Sequence, residues 1–454
     1  MEDLRFTRAQ RCMFLERAHQ FSLLWCGQVR TVMDSSSSTR TLWRNLDYLL
    51  LLVGQSISAL GTGISQVALP LLVLMLTNDP ILAGLVSSLG QFSSFLLLLI
   101  AGSLVDRWNR KRIMILCAAA QAVCSASVVL IWLYKAPLLA QVILFCLCSL
   151  LIGALNTFSG LARLSALTQV VLPSQLSQAV ALDEIIFGLA TLMAPLGTLL
   201  LNLNPIFPFV TDAISYAILL VFVCFIRTSL HASQEEKRPH LFKDVYEGLK
   251  WVWQRPVIRF LVSLAGYLEV IVSVNVVLVA VIARNERFPL NTVGIILGAA
   301  GVGDLLGAAL SPLLQRRFSV GWLLISTLLL FLLLWPLYAW VTNPWALGII
   351  VASLALIDSI TYIQTAVYPL IVASPVFQGR VNSIARLTAM AGLSLGPIGV
   401  GVGLRYLGIP LTMGILWIGF IPFACLALFH PQLRRASLPK NKVVLQSYES
   451  EHSD

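Results

Sequence analysis

The sequence is dominated by apolar runs of about 20 residues, a length that lets a helix cross the roughly 30 Å hydrocarbon core of a bilayer. These runs recur along most of the chain between residues 48 and 430. Of the 454 residues 58% are hydrophobic and only 11% are charged, whereas a soluble domain carries about 25% charged residues. The chain therefore lacks the polar surface of a soluble protein, and we predict an all-α integral membrane protein.

Twelve membrane spans are predicted, and short polar or proline-containing turns separate several of them. Asn78-Asp79-Pro80, Lys135-Ala136-Pro137 and Asn343-Pro344 are such turns, and they predict tight helical hairpins. The predicted spans lie near residues 48–76, 81–105, 113–134, 138–160, 179–201, 208–228, 257–282, 291–314, 320–341, 345–371, 381–404 and 408–430.

The distribution of basic residues predicts the orientation. If both termini are cytoplasmic, all but four of the 31 lysines and arginines lie on the cytoplasmic side, the exceptions being Lys135, Arg284, Arg287 and Arg405. This asymmetry follows the positive-inside rule, and it predicts a multi-pass protein of the cell (inner) membrane. The scattered basic residues also explain the net charge of +10 without a nucleic-acid partner, which would need one dense basic patch.

A long polar linker divides the spans into six plus six. Apolar residues at helical spacing inside the linker predict an amphipathic helix on the inner membrane surface. The first residues read as a flexible cytoplasmic extension, unless translation begins at Met33. The predicted segments are 1–46 for this extension, 47–228 for a first six-helix bundle, 229–256 for the linker, 257–430 for a second bundle and 431–454 for a cytoplasmic tail.

The two halves echo each other, which predicts two pseudo-symmetric bundles around a central path. Ala194-Pro195-Leu196-Gly197 in predicted span five is answered by Gly396-Pro397-Ile398-Gly399 in span eleven. Proline disrupts the helical hydrogen-bond ladder, so Pro195, Gly197, Gly396 and Pro397 are predicted to let these helices flex. Simple helix packing explains the same residues about as well.

A glycine, an acid and several basic residues lie together between spans two and three. Gly102-Ser-Leu-Val-Asp106-Arg107-Trp-Asn-Arg110-Lys111-Arg112 resembles the loop signature of the major facilitator superfamily, with Asn109 where glycine is usual. The resemblance implies that fold, with a latch between the bundles at the cytoplasmic side. Gly102 would let helices approach closely, and Asp106 would meet a helix N-terminus. A plain positive-inside turn explains the basic residues but not the glycine and acid together. The predicted gating residues are Gly102, Asp106, Arg107, Arg110, Lys111, Arg112 and Arg163.

Weaker matches extend the resemblance over nearly all of residues 42–430. Ala162-Arg163, Asp212-Ala213-Ile-Ser215 and Gly379-Arg380-Val381-Asn382 are similar to the branch that holds macrolide-efflux proteins and the enterobactin exporter. One departure concerns the first span, in which many relatives carry an acidic residue where this chain has Thr62. A proton or cation site in that span is therefore not expected.

Acidic residues inside the spans are the main candidates for transport chemistry. Glu269, Asp304 and Asp358 lie near the middle of spans seven, eight and ten, and a charge at that depth costs at least about 2.5 kcal/mol. We predict that they bind protons or cations, and the alternative is a structural carboxyl within packed helices. Glu184 lies nearer the cytoplasmic end, where an inner-gate ion pair is an equal alternative. Spans three, six, nine and twelve are predicted to hold no central acid.

Further residues are candidates for cargo contact or are excluded by absence. The five histidines lie outside the middle of every predicted span, and no phosphate-binding glycine–lysine loop occurs. We therefore expect no metal, no cofactor and no enzymatic activity. Polar and aromatic residues on helices that would line the cavity could contact cargo, although each is also explained by helix packing. They are Gln55, Gln91, Tyr267, Asn275, Tyr362 and Gln364.

These features together predict a secondary active transporter that exports small amphipathic, drug-like or siderophore-like compounds by proton antiport. The alternative is a permease or lipid flippase of the same fold without proton coupling. A membrane-embedded enzyme or receptor is a remote third possibility, because the chain has no catalytic cluster and no large exposed domain in its sequence pattern. The expected partners are a small-molecule substrate, protons and the bilayer, and a monomer is favoured.

Overall fold

A computed structural model gives the fold of residues 44–105, 108–172, 192–228, 241–372 and 375–429, together with residues 175, 179, 182 and 190. This described part of the chain is helical and contains no β-strand. Most of the predicted N-terminal extension, the C-terminal tail and the first half of the predicted linker lie outside it. Much of predicted span five, 179–201, lies outside it as well.

Six helices form the first half of the described chain. Their bounds are Leu46–Thr77 (α1), Pro80–Val105 (α2), Arg110–Leu133 (α3), Leu138–Val170 (α4), Ala194–Leu203 (α5) and Phe207–Phe225 (α6). A shorter helix in the linker follows, Leu241–Trp253 (α7), and then the second half. Its bounds are Pro256–Asn285 (α8), Leu290–Arg317 (α9), Val320–Leu334 (α10), a 3₁₀ turn at Trp335–Ala339, Pro344–Val372 (α11), Pro375–Tyr406 (α12) and Gly408–Phe429 (α13).

Eleven of the helices in the described residues are long and apolar enough to cross a membrane. The prediction of an all-α, multi-pass membrane protein is confirmed. Of the twelve predicted spans only the fifth falls short, because the described part of α5 begins at Ala194, and the linker helix α7 is not a predicted span. The helix bounds follow the predicted spans closely except at α4, which continues about ten residues beyond its predicted end at residue 160. Arg163 therefore lies on a helix and not in a loop.

The outward faces of the helices are apolar. Leu116 and Val123 on α3 are 67% and 69% exposed, and Ile415 and Ile418 on α13 are also exposed. Apolar area of this extent is unusual on soluble proteins but fits a surface in contact with lipid. The interior is closely packed around large side chains such as Trp335 and Phe145.

The helix contacts repeat between the two halves. In the first half α2 packs on α4 and α3 packs on α4 and α6, and in the second half α9 packs on α11 and α10 packs on α11 and α13. Helix α8 makes smaller contacts with α1 and α2, and the two largest contacts between the halves are α2 with α12 and α5 with α9. These two pairs correspond to each other in the repeat, so the predicted pseudo-symmetry holds in the helix packing.

The closest contacts between the halves lie at one end of the molecule. We call it the far end, defined by the α1–α2 turn at Asn78-Asp79, the beginning of α9 and the end of α12. The opposite end, the near end, carries the beginning of α1 and the end of α6. These positions are joined there, because the backbone N–H groups of Arg227 and Thr228 donate to the Asp47 carboxylate at 3.0 and 2.9 Å.

Helix α7 lies within the predicted linker and packs on α8 and α12. Trp251 and Val252 are buried in a cluster with Ile258 and Val262 of α8 and Val381 and Ile384 of α12. The opposite face of α7 exposes Tyr246, Leu249 and Trp253. The helix thus has one face against the second half and an apolar face that is open.

Candidate functional site

Three acids from three helices lie together in the second half of the chain. Glu269 is on α8, Asp304 on α9 and Asp358 on α11. Asp358 interacts electrostatically with both of the others. The structure therefore brings together the three residues that the sequence singled out, while the fourth candidate, Glu184, lies outside the described residues.

Glycines let the helices that carry these acids approach closely. A Cβ at Gly303 would meet the backbone carbonyl of Ala352, and one at Gly307 would meet the carbonyl of Leu356. Asp304 lies between these two glycines, so it is held where α9 touches α11, the helix of Asp358. The glycines thus explain why two acids can lie on neighbouring backbones.

A similar contact positions Glu269. A Cβ at Gly392 of α12 would meet the Gly266 carbonyl of α8 and would lie 3.2 Å from the Glu269 Cβ. Glu269 therefore sits at the contact of α8 with α12, a helix that also takes part in the joint between the halves.

The three acids have no compensating charge among the described residues. None of them makes a hydrogen bond or ion pair there, and the buried Oδ1 of Asp358 is without a hydrogen-bond partner. Charges repel one another strongly where water is excluded, and buried charges are normally paired. A cluster of this kind can bind a mobile proton or another small cation.

The predicted gating loop is only partly described, since Asp106 and Arg107 lie outside the described residues. Gly102 is in the last turn of α2, and no atom of the described residues lies within 4 Å of the position that a Cβ would take. Among the described residues no neighbouring helix requires the glycine to be small, and close helix approach at Gly102 stays a prediction.

Asn109 explains why this chain departs from the glycine of the family motif. Its side-chain oxygen accepts a hydrogen bond from the backbone N–H of Arg112 at 3.2 Å, which caps the N-terminus of α3. Arg112 itself is exposed. Asn109 therefore ends the loop and begins the next helix.

The neighbouring basic residues act within the first half. Lys111 Nζ donates to the carbonyls of Cys224 and Ile226 at 2.9 and 2.7 Å, where α6 ends. A cation at a helix C-terminus also interacts favourably with the helix dipole. Arg110 is buried, and its Nε has no hydrogen-bond partner among the described residues. Arg163 is half-buried on α4. The latch between the bundles stays a prediction.

Two of the predicted cavity residues face other helices. The Tyr267 hydroxyl donates to the Leu416 carbonyl of α13, and its ring stacks on Phe423. The Asn275 side-chain oxygen accepts from the buried Tyr338 hydroxyl at 3.0 Å. Each side chain therefore has a hydrogen-bond partner on another element of the second half, and cargo contact by Tyr267 and Asn275 stays a prediction.

The other four predicted cavity residues differ in exposure. Gln55 and Gln91 are half-buried and Tyr362 is exposed. Gln364 is buried, and neither atom of its amide has a hydrogen-bond partner among the described residues. Cargo contact by these residues stays a prediction.

Both proline motifs lie where the two halves meet. Gly84, four residues after the start of α2, packs against the carbonyl of Pro397 in α12. Gly294, four residues after the start of α9, packs against Thr198 and the carbonyl of Pro195 in α5. These two contacts, which we call the seams, are the same contact repeated in each half of the sequence.

Each seam has further contacts that fix its geometry. The Ile398 N–H donates across the first seam to Ser88 Oγ at 3.0 Å. Within the halves, Gly197 packs on the Ile64 carbonyl of α1, and Gly396 packs on Val270 and Ser273 of α8. The four residues predicted to flex therefore lie at close backbone contacts, and flexing itself stays a prediction.

The sequence reading missed an ion pair that crosses the first seam. Arg405 at the end of α12 pairs with Asp79 in the α1–α2 turn. Arg405 was one of only four basic residues predicted on the outer side, so its isolation was a signal that it has an acidic partner. The pair joins the two halves at the far end.

A buried acid in α6 was also missed. Asp212 is 1% exposed, and a Cβ at Gly61, in the middle of α1, would lie 3.2 Å from its Cα. The expectation that span six holds no central acid is therefore wrong. Depth was counted from the end of span six, but α6 begins level with the interior of the longer helix α1. The sequence signal that could have revealed Asp212 is the presence of an acidic residue within an apolar span.

Comparisons with known proteins agree with this architecture. The sequence model of the Major Facilitator Superfamily matches residues 51–397. The enterobactin exporter EntS of Shigella boydii serotype 4 (strain Sb227) is 25% identical over 305 residues, which cover 66% of this chain and 70% of that protein. The exporter of the same name from Shigella dysenteriae serotype 1 (strain Sd197) is 24% identical over 354 residues, 75% of this chain and 81% of that protein.

Solved transporter structures resemble the fold. A bacterial homolog of the human lysosomal transporter Spinster, inward-facing and occupied, has a TM-score of 0.69 at 14% identity, covering 85% of this chain and 96% of that one. The nucleoside transporter NupG has a TM-score of 0.66 at 15% identity, covering 85% and 98%. At such identities the likeness concerns the fold alone.

Proposed function

The chain belongs to the major facilitator superfamily, and from that premise we propose that it is a proton-coupled secondary transporter that exports small amphipathic compounds by alternating access. Members of this family carry small molecules across membranes, and the chain is a transporter and not an enzyme. The proton, the export direction and the amphipathic cargo form the proposal.

The observation that carries the proposal is the cluster of Glu269, Asp304 and Asp358. Asp358 interacts electrostatically with both other acids, and no described cation or hydrogen bond compensates any of the three. Binding and release of a proton change the charge of this cluster. Because the acids lie on α8, α9 and α11, such a change would alter the forces between helices that must move during transport.

The direction and the cargo rest on weaker support. The relatives of known function are enterobactin exporters, which favours export. Acids near the middle of the predicted spans, with no lysine or arginine at the same depth, favour neutral or cationic cargo over anions. The proposed orientation puts both termini in the cytoplasm, which makes the far end external.

The far-end seams support alternating access. Close contacts of α2 with α12 and of α5 with α9 close the far end in this structure. In the proposed cycle these contacts separate when cargo is released outside and form again afterwards. Loss of a proton from the acids would shift the equilibrium between the state with a closed far end and the state with an open far end.

The test uses the purified full chain in liposomes that contain a trapped pH-sensitive dye. A panel of amphipathic compounds is offered, and proton flux and compound uptake are recorded together. We expect at least one compound to drive proton movement. If no compound moves protons while compounds still cross, the chain is a permease or flippase and the proton proposal fails.

Variants locate the coupling residues. Glu269→Gln, Asp304→Asn and Asp358→Asn are expected to reduce proton flux while substrate exchange, which needs no net proton movement, continues. Asp358→Asn should have the largest effect because its carboxyl interacts with both other acids. Glu286→Gln makes the same change at an exposed position and should behave like wild type. Undiminished coupling in all three cluster variants would remove this assignment.

A further inference from the structure

Asp212 is a buried carboxyl that the proposed transport site does not use. It lies on α6 in the first half of the chain, whereas the three clustered acids lie in the second half. Its side chain is almost inaccessible, with 1% exposure. Its Oδ2 accepts a hydrogen bond from Ser125 Oγ of α3 at 2.7 Å, and its Oδ1 has no hydrogen-bond partner among the described residues.

Oxygen-bearing side chains from three helices surround this carboxyl. Ser65 of α1 faces it, with its hydroxyl 3.1 Å from the Thr62 carbonyl. Tyr216, one turn further along α6, shares a hydrogen bond of 2.8 Å with the Thr62 hydroxyl. The close approach of α1 to α6 depends on Gly61, since a Cβ there would collide with Ser215.

No positive charge faces Asp212 from the described parts of the helices packed against it. The titratable groups nearby are Tyr216 on its own helix and Cys124 on α3, which interacts with Tyr216. Helix α1 contributes Thr62 and Ser65, and the described residues of α5 include no titratable side chain. Hydroxyl groups and one carboxylate therefore make up the polar environment.

An ionised carboxylate in this setting is stabilised by serine hydroxyls and not by a positive charge of the described residues. Buried polar atoms are normally hydrogen-bonded, and an uncompensated buried charge destabilises a fold by several kcal/mol. One carboxylate oxygen here has no donor, although hydroxyl oxygens lie around it. The lone pairs of Asp212 Oδ1, which accept no hydrogen bond from the described residues, fit a cation that carboxylate and hydroxyl oxygens can bind.

We propose that Asp212, with Ser65 and Ser125, forms a binding site for a monovalent cation, either a proton or Na⁺, separate from the acids of the second half. A single carboxylate argues against Ca²⁺, which is bound by six to eight oxygens that usually include several carboxylates. An occupied site would join α1, α3 and α6 through the cation. The site does not depend on the proposed function, since it can bind its ion whatever cargo the protein carries.

The test measures the melting temperature of the purified full chain in detergent by tryptophan fluorescence. Sodium chloride is titrated against choline chloride at constant ionic strength, and a pH series is recorded without sodium. We expect sodium, acid or both to raise the melting temperature of the wild type, because a ligand stabilises the state that binds it. Asp212→Asn should lose the sodium response and show a smaller acid response, the remainder coming from the three clustered acids, and it should equal or exceed the wild type at high pH without sodium.

Glu286→Gln, which removes one carboxylate charge at an exposed position, is the matched control and should keep the response. Ser125→Ala and Ser65→Ala keep the carboxylate and should shift the response midpoint roughly tenfold, as expected for one lost ligand or hydrogen bond. These milder variants keep the test decisive if Asp212→Asn does not fold.

Two results separate the ions. A sodium response at fixed pH that Asp212→Asn lacks identifies Na⁺ as the ion. No sodium response, together with an acid response that is smaller in Asp212→Asn than in the wild type, identifies the proton. In the second case infrared spectroscopy should detect a protonated-carboxyl band that Asp212→Asn lacks. The proposal is overturned if the wild type responds to neither ion or if Asp212→Asn responds as the wild type does. A purely structural carboxylate would instead make Asp212→Asn less stable under every condition. The readout is binding and not transport, so failure here leaves the transport proposal standing.

Discussion

At the scale of the residue, Lys111 and Arg112 are neighbours with different roles. Lys111 donates to two carbonyls at the end of α6, while Arg112 is exposed. We expect Lys111→Ala to lower stability by about 1–2 kcal/mol, because charged hydrogen bonds at a helix C-terminus are lost. Arg112→Ala should change it by less than about 0.5 kcal/mol.

The measurement is the melting temperature together with hydrogen exchange of the amides at residues 224–228. Faster exchange in Lys111→Ala, with little change in Arg112→Ala, is the expected result. Equal effects from the two variants would mean that the contact with α6 contributes nothing specific.

The sequence could single out the three acids that lie together in the second half, but it could not predict which way other polar side chains point. Glu269, Asp304 and Asp358 were identified because a charge in an apolar run is costly. The hydrogen bonds of Tyr267 and Asn275 were not predicted, because the direction of a polar side chain on a helix depends on the neighbour that offers a hydrogen bond. That neighbour, on α13 or next to α10, lies far away in sequence.

At the scale of the element, two glycines of α2 differ in their surroundings. A Cβ at Gly84 would collide with the Pro397 carbonyl, whereas a Cβ at Gly102 would meet no described atom. We expect Gly84→Val to separate α2 from α12 at the first seam at a cost of about 1–3 kcal/mol. Gly102→Val should leave this seam closed.

The measurement is the labelling rate of a cysteine introduced at Ser88, which lies in the seam, in an otherwise cysteine-free chain. Gly84→Val should speed labelling, and Gly102→Val should not. Unchanged labelling in Gly84→Val would show that α2 and α12 tolerate a side chain between them.

Apart from the end of α4, most helix bounds were predictable to within a few residues, because apolar length and turn residues determine them. The helix contacts were less accessible to sequence reasoning. Pro195 and Pro397 were recognised as a repeat, yet their partners Gly294 and Gly84 were not, since nothing local distinguishes a glycine at a helix contact from one facing open space. Gly102 shows the same difficulty, because a close helix contact was predicted there and no described atom lies within 4 Å of its Cβ position.

At the scale of the whole molecule, the pair of Asp79 with Arg405 joins the two halves at the far end. Because Arg405 is about half exposed, the pair should contribute roughly 0.2–1 kcal/mol. We expect Asp79→Asn to shift the population toward a far-end-open state by up to about fivefold. The exchanged double variant Asp79→Arg with Arg405→Asp should restore the wild-type population.

Spin labels in the α1–α2 turn or at the end of α12 would disturb the ion pair. The distance is therefore measured between labels at Lys135 and Trp345, which are both exposed and lie in opposite halves. A longer distance component in Asp79→Asn that disappears in the exchanged variant is the expected outcome. If the exchanged variant stays open, attraction between the two charges is not what holds the far end.

The overall architecture was accessible from the sequence because the internal echo and the loop signature both indicate two related bundles. The state of the molecule was not. Closure of the far end depends on backbone contacts of a few glycines and on one ion pair, and a sequence that must form both open and closed states does not reveal which one is stable.

The repeated seam has a mechanical consequence. The same proline–glycine contact occurs on two helix pairs. If only one of them breaks, the other stays in place as a pivot, and the two halves separate on one side only. A symmetric opening of the far end requires both contacts to break at the same time. A lesion at a single seam should therefore tilt the molecule to one side, so that an asymmetric gap forms toward the lipid in place of a central opening.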